Sequence, residues 1–463
     1  MSQDVRSRLI RGFAAQGFGQ IITLIIQIAS VPLFVHYWGM AVYGEWLLLS
    51  TIPAYFALSD LGFANAAGTE MTMRVARGDR SGALEVFQSA WVLVSGVTLT
   101  LTVTVIGLAQ LLPVARWLNL ATLSHREISA VVTILVIQLF FEFQTGLLAL
   151  GYRTDGHFAV GTMIRNMVRL AEFAAGMIAL VLGAHLIGVA LAAMLTRLAG
   201  NIFTAVDCRR RSPWLAFGVR HASRATVRSL ISPALSFMGF PLGNALSLQG
   251  IQIVVGVVLG PVAVAIFSTL RTLSRFVYQM MSAITHTVWV EMSTAFGAGD
   301  ISLARRLHRR TCQAAVWLSV LMSLGLFVSG RLIMQLWNHN KVPFEPTLFA
   351  LLLLVVVCNS FWSASYVTLI AVNRHQALAA VYAVATALSL GLALVLTHIL
   401  GLPGAALGLL VIDIYMCSYV IGRSLALVED TPSNFFRAVL QPPFADLRKL
   451  RLQRPAREHK ATH

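Results

Sequence analysis

Arg165 and Arg169 stand four positions apart in the stretch IRNMVRLAEF, with Glu172 three further on, and Arg271 and Arg275 repeat the spacing in LRTLSRF. On a helix, positions four apart share a face, so each stretch presents two guanidinium groups side by side. A guanidinium is a planar fork of donors that grips phosphate or carboxylate oxygens in two places. Two such pairs in apolar surroundings are candidate seats for an anionic group. Similar surroundings hold Asp60, Glu142, Arg197 and Asp413. Carboxylates in such settings can exchange protons, so Asp60, Glu142, Glu172 and Asp413 are candidates for ion coupling, and Arg197 joins the anion-binding set.

The chain that must position these groups has 463 residues, 57% of them hydrophobic and 12% charged, with a mean hydropathy of +0.75. Soluble domains are nearer about 45–50% apolar and about 25% charged, and roughly 20 apolar residues suffice to cross a bilayer core. Apolar runs recur from end to end, which indicates an all-α polytopic membrane protein. Read against their breaks, they give about twelve spans, near 12–36, 43–66, 86–110, 128–150, 159–183, 186–207, 229–257, 262–290, 311–330, 347–372, 376–398 and 404–425. The breaks carry turn residues or charge, as in YWGMAVYG, NHNKVPFEP and ILGLPG. The first run follows MSQDVRSRLIRG at full length and reads as an uncleaved first span.

Arginine-rich loops mark one side of the membrane: Arg6, Arg8 and Arg11, then Arg74, Arg77 and Arg80, then the segment from Arg209 to Arg228, then Arg305 to Arg310, and the C-terminal DLRKLRLQRPAREHK. The positive-inside rule makes that side, and both termini, cytoplasmic. The net charge of +16 is therefore a topology signal. Basic residues divided among short loops do not form a nucleic-acid surface, and the basic tail is expected to lie on anionic headgroups. Cys208, Cys312, Cys358 and Cys417 show no CxxC or Cys/His spacing and read as small core residues. No metal or cofactor is expected.

The sequence repeats itself. EMTMRVARGDRSGA from Glu70 and EMSTAFGAGDISLA from Glu291 both fit E-M-[ST]-x5-G-D-x-S-x-A, at an offset of 221. The same offset relates Gly39 to Gly260 and Arg153 to Arg374, and IGVALAAM at Ile187 resembles PGAALGLL at Pro403 at an offset of 216. Each half holds six spans, and an even number makes the halves enter the membrane in the same sense, related by an axis along its normal. The expected organisation is a first six-helix lobe at 1–207, a basic inter-lobe loop at 208–228, a second lobe at 229–425 and a basic tail at 426–463. Two like-oriented bundles suit alternating access.

The stretches VPLFVHYWGMAVYGEWLLLSTIPAYFALSDLGFANAAG, VVLGPVAVAIFSTLRTLSRF, AVNRHQ and HILGLPGAALGLL, with the G-D loop, resemble the Wzx-type oligosaccharide flippases. These transporters share a superfamily with multidrug extruders and lipid II flippases. The resemblance runs from about residue 12 to 425, through soft motifs of glycines and one aspartate. It implies a multi-pass protein of the bacterial inner membrane that moves a polyprenyl-pyrophosphate-linked oligosaccharide to the outer leaflet for O-antigen, capsule or exopolysaccharide synthesis. It further implies work alongside a polysaccharide polymerase and a chain-length regulator, and nothing in the sequence requires more than a monomer.

A charge at mid-bilayer costs about 2.5–3.5 kcal/mol on insertion scales, so the nine intramembrane charges together cost roughly 20–30 kcal/mol if they face lipid. They must pair or line water. Five arginines stand against four carboxylates, which leaves positive charge over and suits an anionic substrate in a cationic central cavity. Against this stand plainer roles: an intrahelical pair of Glu172 with Arg165 or Arg169, or ties from Arg271 or Arg275 to Asp60 or Asp413. The alternative function is an ion-coupled drug or metabolite antiporter of the same superfamily. The resemblance implies charged residues in the first span of multidrug extruders and lipid II flippases; here that span has only Gln16, Gln20 and Gln27, a departure that weakens both. An enzyme acting on lipid-linked sugars lacks its motifs here, since no G-x-S-x-G, H-E-x-x-H or P-loop occurs.

Overall fold

The computed structural model describes residues 3–56, 63–237, 239–372 and 376–442; Asp60, Arg374 and the end of the basic tail lie outside the described residues. Among the described residues every regular element is a helix. They are α1 (Gln3–Phe56), α2 (Phe63–Ala76), α3 (Arg80–Leu111), α4 (Val114–Trp117), α5 (His125–Thr154), α6 (Phe158–Val181), α7 (Leu186–Arg211) and α8 (Arg224–Phe237). Then follow α9 (Gly239–Ala245), a π-helical turn at Leu246–Gly250, α10 (Ile251–Leu259), α11 (Pro261–Gly297), α12 (Ile301–Asn338), α13 (Pro346–Ala371), α14 (Gln376–Leu400), α15 (Leu402–Leu427) and α16 (Pro432–Leu440).

Nine helices among the described residues are long and apolar enough to cross a membrane. The expected spans outnumber them for two reasons. α1 runs through two spans but breaks at Gly39, whose φ of 74° and ψ of 175° interrupt the helix. Two further helices of spanning length, α6 with 24 residues and α11 with 37, carry the arginine pairs that dilute their apolar character. The expected span 43–66 runs past the described residues, which stop at 56 and resume at 63.

The 221-residue offset reappears in the backbone. Gly260 adopts φ 84° and ψ 175°, the conformation of Gly39, a region open to glycine and almost nothing else. Gly78 and Gly299 both turn with positive φ, at 81° and 71°. The aspartate after each caps the next helix in the same way. Asp79 accepts from the Gly82 N–H at 2.8 Å and the Ser81 hydroxyl at 2.9 Å, and Asp300 accepts from the Leu303 N–H at 2.8 Å and the Ser302 hydroxyl at 2.7 Å. Those bonds, the backbone one foremost, hold both carboxyls below the usual aspartate range.

By contact, the chain forms two compact units: residues 1–267 with 337–343, and residues 268–336 with 344–463. In the first, α5 packs on α3 and α7, and α6 packs between α1 and α7. Its core gathers Met71, Phe87, Phe143, Leu147, Tyr152 and Cys208. The basic segment after α7 folds back on α3: Phe217 stacks near Phe87 and Trp91, and Gln88 bonds both the Ala216 carbonyl and the His221 N–H. In the second unit, α15 packs on α13 and α14. The start of the C-terminal tail, expected on headgroups, there forms α16, whose Phe435 and Val439 are buried against α12, α13 and α15. Phe435 stacks on the buried His308 ring at 4.9 Å, and Asp430 pairs with Arg309. The segments after α7 and after α15 thus fill corresponding places on α3 and α12. All four cysteines are free thiols.

Candidate functional site

The described candidate charges fall into two groups, one in each unit. In the first, Glu172 of α6 and Arg197 of α7 are both buried, each 6% exposed. Arg197 Nη2 donates to Glu172 Oε2 at 2.6 Å, and its Nε stands against Oε1 in the same ion pair. Gln138 of α5 adds a hydrogen bond to Glu172, and Glu142, one turn along α5, is near enough to act on Glu172 electrostatically. Glu142 is exposed. The partner of Glu172 is therefore Arg197 on the neighbouring helix, not Arg165 or Arg169 on its own.

Those two arginines are exposed. Arg169 donates to the Thr23 hydroxyl of α1 at 2.9 Å, and the α6–α1 contact beside it is fixed by Asn166, whose amide donates to the Ala15 carbonyl at 2.9 Å. Gly19 makes room for that amide, since a Cβ there would come within 2.7 Å of Asn166 Nδ2. Neither Arg165 nor Arg169 has a carboxylate partner among the described residues. At about 100° per residue they lie roughly opposite Met163, Met167 and Ile178, the exposed apolar side of α6. Lipid takes the apolar side, and the arginines take the other.

One turn beyond Arg197, Asn201 donates to the Phe141 carbonyl at 2.6 Å and meets the Thr145 hydroxyl. These bonds lock α7 to α5, and Asn201 itself is buried.

In the second unit Asp413 of α15 is also 6% exposed. Its Oδ1 accepts from Asn359 Nδ2 at 2.8 Å and from Trp362 Nε1 at 2.7 Å, both on α13. Arg271 of α11 lies within electrostatic reach of Asp413 and Tyr382, and Arg275 of Tyr278 and Tyr382. Trp362 packs its ring 5.7 Å from Tyr382 and 6.4 Å from Tyr366. This arginine pair is set among aromatic rings with one buried aspartate, whereas the first pair faces open space.

The clusters correspond through the repeat. Arg197 and Asp413 are 216 apart, the offset already seen for these two helices, and Gln138 and Asn359 are 221 apart. The same seat on the last spanning helix of each half holds a cation in one half and an anion in the other; Asn359 of α13 bonds Asp413 itself, whereas Gln138 of α5 bonds Glu172, the partner of Arg197.

Sequence reasoning missed Glu45. It is fully buried and accepts from the Ala121 and Thr122 N–H groups, both at 2.8 Å, and from the Thr122 hydroxyl at 2.6 Å. It anchors the turn between α4 and α5. A carboxylate within the apolar run YGEWLLL was the available signal. The aromatic ring of Tyr278, Trp362, Tyr366 and Tyr382 was also not singled out. Among the described residues no cluster of three His, Cys, Asp or Glu side chains is placed to hold a metal ion.

No model of a known family matches the sequence, and no curated protein matches it. Solved structures do. An inward-facing multidrug-resistance MATE transporter of the MOP superfamily aligns over 93% of this chain and 96% of its own, with a TM-score of 0.69 at 14% identity. The lipid II flippase MurJ, in an inward closed conformation, aligns over 93% of this chain and 90% of its own, with a TM-score of 0.69 at 12% identity. The fold is that of the MOP-superfamily transporters. A third MOP-superfamily transporter, from Pyrococcus furiosus and described as having a binding pocket of reverse polarity, aligns over 92% of this chain and 96% of its own, with a TM-score of 0.60 at 14% identity. At these identities the likeness establishes a multi-pass transporter fold; drug extruders and a lipid flippase share it alike.

Proposed function

We propose that the chain is a flippase that carries a polyprenyl-pyrophosphate-linked oligosaccharide from the cytoplasmic to the outer leaflet of a bacterial inner membrane, by alternating access. The observation that carries this reading is the pair Arg165 and Arg169: exposed in the middle stretch of a helix of 24 residues, turned from the apolar side of α6, and without a carboxylate partner among the described residues. Two uncompensated guanidinium groups within a span are costly unless an anion or water meets them, and a pyrophosphate presents the oxygens their forks fit. Arg271 and Arg275 are proposed to contribute a second anionic contact, and Asp413 is a candidate for ion coupling. Membrane lipid, a polymerase and a chain-length regulator are the proposed partners of a monomeric carrier.

A second reading is an antiporter for organic cations. The Asp413 cluster favours it, because a buried carboxylate bonded to Trp362 and within electrostatic reach of Tyr278 and Tyr382 is a setting in which a cation is held by charge and aromatic faces.

Flipping in proteoliposomes separates the two. The purified protein, reconstituted with a short polyprenyl-pyrophosphate oligosaccharide, is expected to bring the glycan within reach of an external membrane-impermeant enzyme. The folded double variant Arg165→Ala/Arg169→Ala is expected to lose most of that rate. Normal flipping by this variant would assign the arginines a structural role. Failure of the wild type on lipid-linked glycans, together with uptake of an organic cation, would establish the antiporter.

A further inference from the structure

Arg165, Arg169 and Glu172 follow one stripe of α6, at spacings of four and three. The first two are exposed cations, and the third is a buried carboxylate whose two oxygens are occupied by a third cation, Arg197. An anion that settles on the stripe therefore approaches a guanidinium already held by Glu172. The groups around Glu172 are few. α5 brings the Gln138 amide and the exposed carboxylate of Glu142; α7 brings Arg197, with the neutral Asn201 one turn on; α6 itself brings Arg165 and Arg169; and α1 brings the neutral Thr23 hydroxyl, bonded to Arg169. Two carboxylates thus lie near one another, and Arg197 is bonded to only one of them. Either would be relieved by a proton once an external anion supplied the second charge.

We propose that Arg197 exchanges partners: it pairs with Glu172 when the site is empty and with the anionic group of the ligand when Glu172 has taken up a proton. This deepens the flippase reading and rests on it. The balance is simple. One proton passes from water to a Glu172 carboxylate oxygen, the guanidinium keeps all its protons throughout, and the incoming anion replaces the carboxylate as its counter-charge. Proton and anion then bind with positive linkage, and each raises the affinity of the other by the same factor. The sign follows directly: binding takes up a proton, so affinity for the anion rises as pH falls.

The test uses the full chain in detergent and farnesyl sulfonate, an isoprenyl anion whose own charge does not change across the pH range used. Binding is followed by titration, and proton uptake by an indicator dye in weak buffer. The wild type is expected to bind more tightly as pH falls, by at most about tenfold per pH unit for one linked proton, and to take up close to one proton per anion. Glu172→Gln is expected to bind with little pH dependence and no proton uptake, because the amide releases Arg197 at every pH. The wild-type measurement needs no variant, so a poorly folding Glu172→Gln does not shield the proposal. Anion binding by the wild type without proton uptake would overturn it and leave the flippase reading standing. So would a pH dependence that survives Glu172→Gln and disappears in Glu142→Gln, which would place the proton on α5. Failure to bind the sulfonate at any pH, with binding of tetraphenylphosphonium instead, would overturn the flippase reading and this proposal together.

Discussion

Replacing Arg197 or Glu172 by leucine, singly and together, should expose how the buried pair is held. Both side chains are almost fully enclosed, and each takes both its strong contacts from the other. Removing one partner of such a pair leaves an uncompensated buried charge and typically costs about 3–5 kcal/mol, while replacing both by apolar groups is often neutral or stabilising. The surroundings make the two single losses unequal. Arg197→Leu leaves Glu172 beside Glu142, a like charge, with only Gln138 to satisfy it. Glu172→Leu leaves Arg197 with the Glu142 carboxylate in the neighbourhood. Arg197→Leu is therefore expected at the upper end of that range and Glu172→Leu at the lower, with the double variant far more stable than their sum. Reversible unfolding in mixed micelles, run as a double-mutant cycle, measures all four states. Additivity within about 0.5 kcal/mol would mean that the two residues do not interact, and the reasoning would fail. A larger loss for Glu172→Leu than for Arg197→Leu would refute the role given to Glu142.

Glycine at 39 and 260 holds a backbone conformation that a side chain strains by about 1–3 kcal/mol, so Gly39→Ala and Gly260→Ala should each lower the unfolding midpoint, and unchanged midpoints would count against the repeated kink. Gly44→Ala should be worse, because a Cβ at that position would lie 1.9 Å from the Pro261 carbonyl oxygen and the helices must part; the same unfolding measurement decides it. Glu45→Leu strands two backbone N–H groups at roughly 1–3 kcal/mol each, and amide exchange over residues 118–124 should accelerate; protection equal to the wild type would remove Glu45 as the anchor. The caps at Asp79 and Asp300 have carboxyls held below their ordinary range, so their stabilisation is complete above the unfolded aspartate value near about 3.9 and fades as pH falls through the lower folded value. Acid-induced opening of these two loops, followed by amide exchange, should flatten in Asp79→Asn and Asp300→Asn, which leave no carboxyl to protonate; an unchanged pH profile would refute the role given to the caps.

The spans, the fold class and the duplication were legible because each is written locally. Runs of apolar residues set span length, and the glycines and aspartates at constant offset mark turns whose backbone admits few other residues. The partner of Glu172 was not legible. Spacing along α6 offered Arg169 three residues away, a contact worth only about 0.2–0.5 kcal/mol on an exposed helix, while the pairing that formed lies across helices at a depth where a lone charge is far more costly. Glu45 escaped for the same reason, since its bonds go to backbone groups some 76 residues away in sequence. The basic segment after α7 and the start of the tail after α15 were read by charge, and charge is silent about Phe217 and Phe435, which fasten them. Likewise the seats of Arg197 and Asp413 come into register only when the offset drops from 221 to 216.

That reversal of sign at one seat has a genealogical consequence. A freshly duplicated chain carries the same residue at both positions, and either half can stand in for the other. Once one copy held arginine and the other aspartate, each needed its own compensating neighbour, Glu172 from α6 in the first half and Arg271 from α11 in the second. Those neighbours come from helices that do not correspond. The two seats have thereby lost their interchangeability: an arginine placed at 413 would meet Arg271, and an aspartate placed at 197 would meet Glu172, so neither residue can be moved between halves without its neighbour. The repeat survives as architecture, in its kinks and caps, while the electrical individuality of each half makes the duplication irreversible.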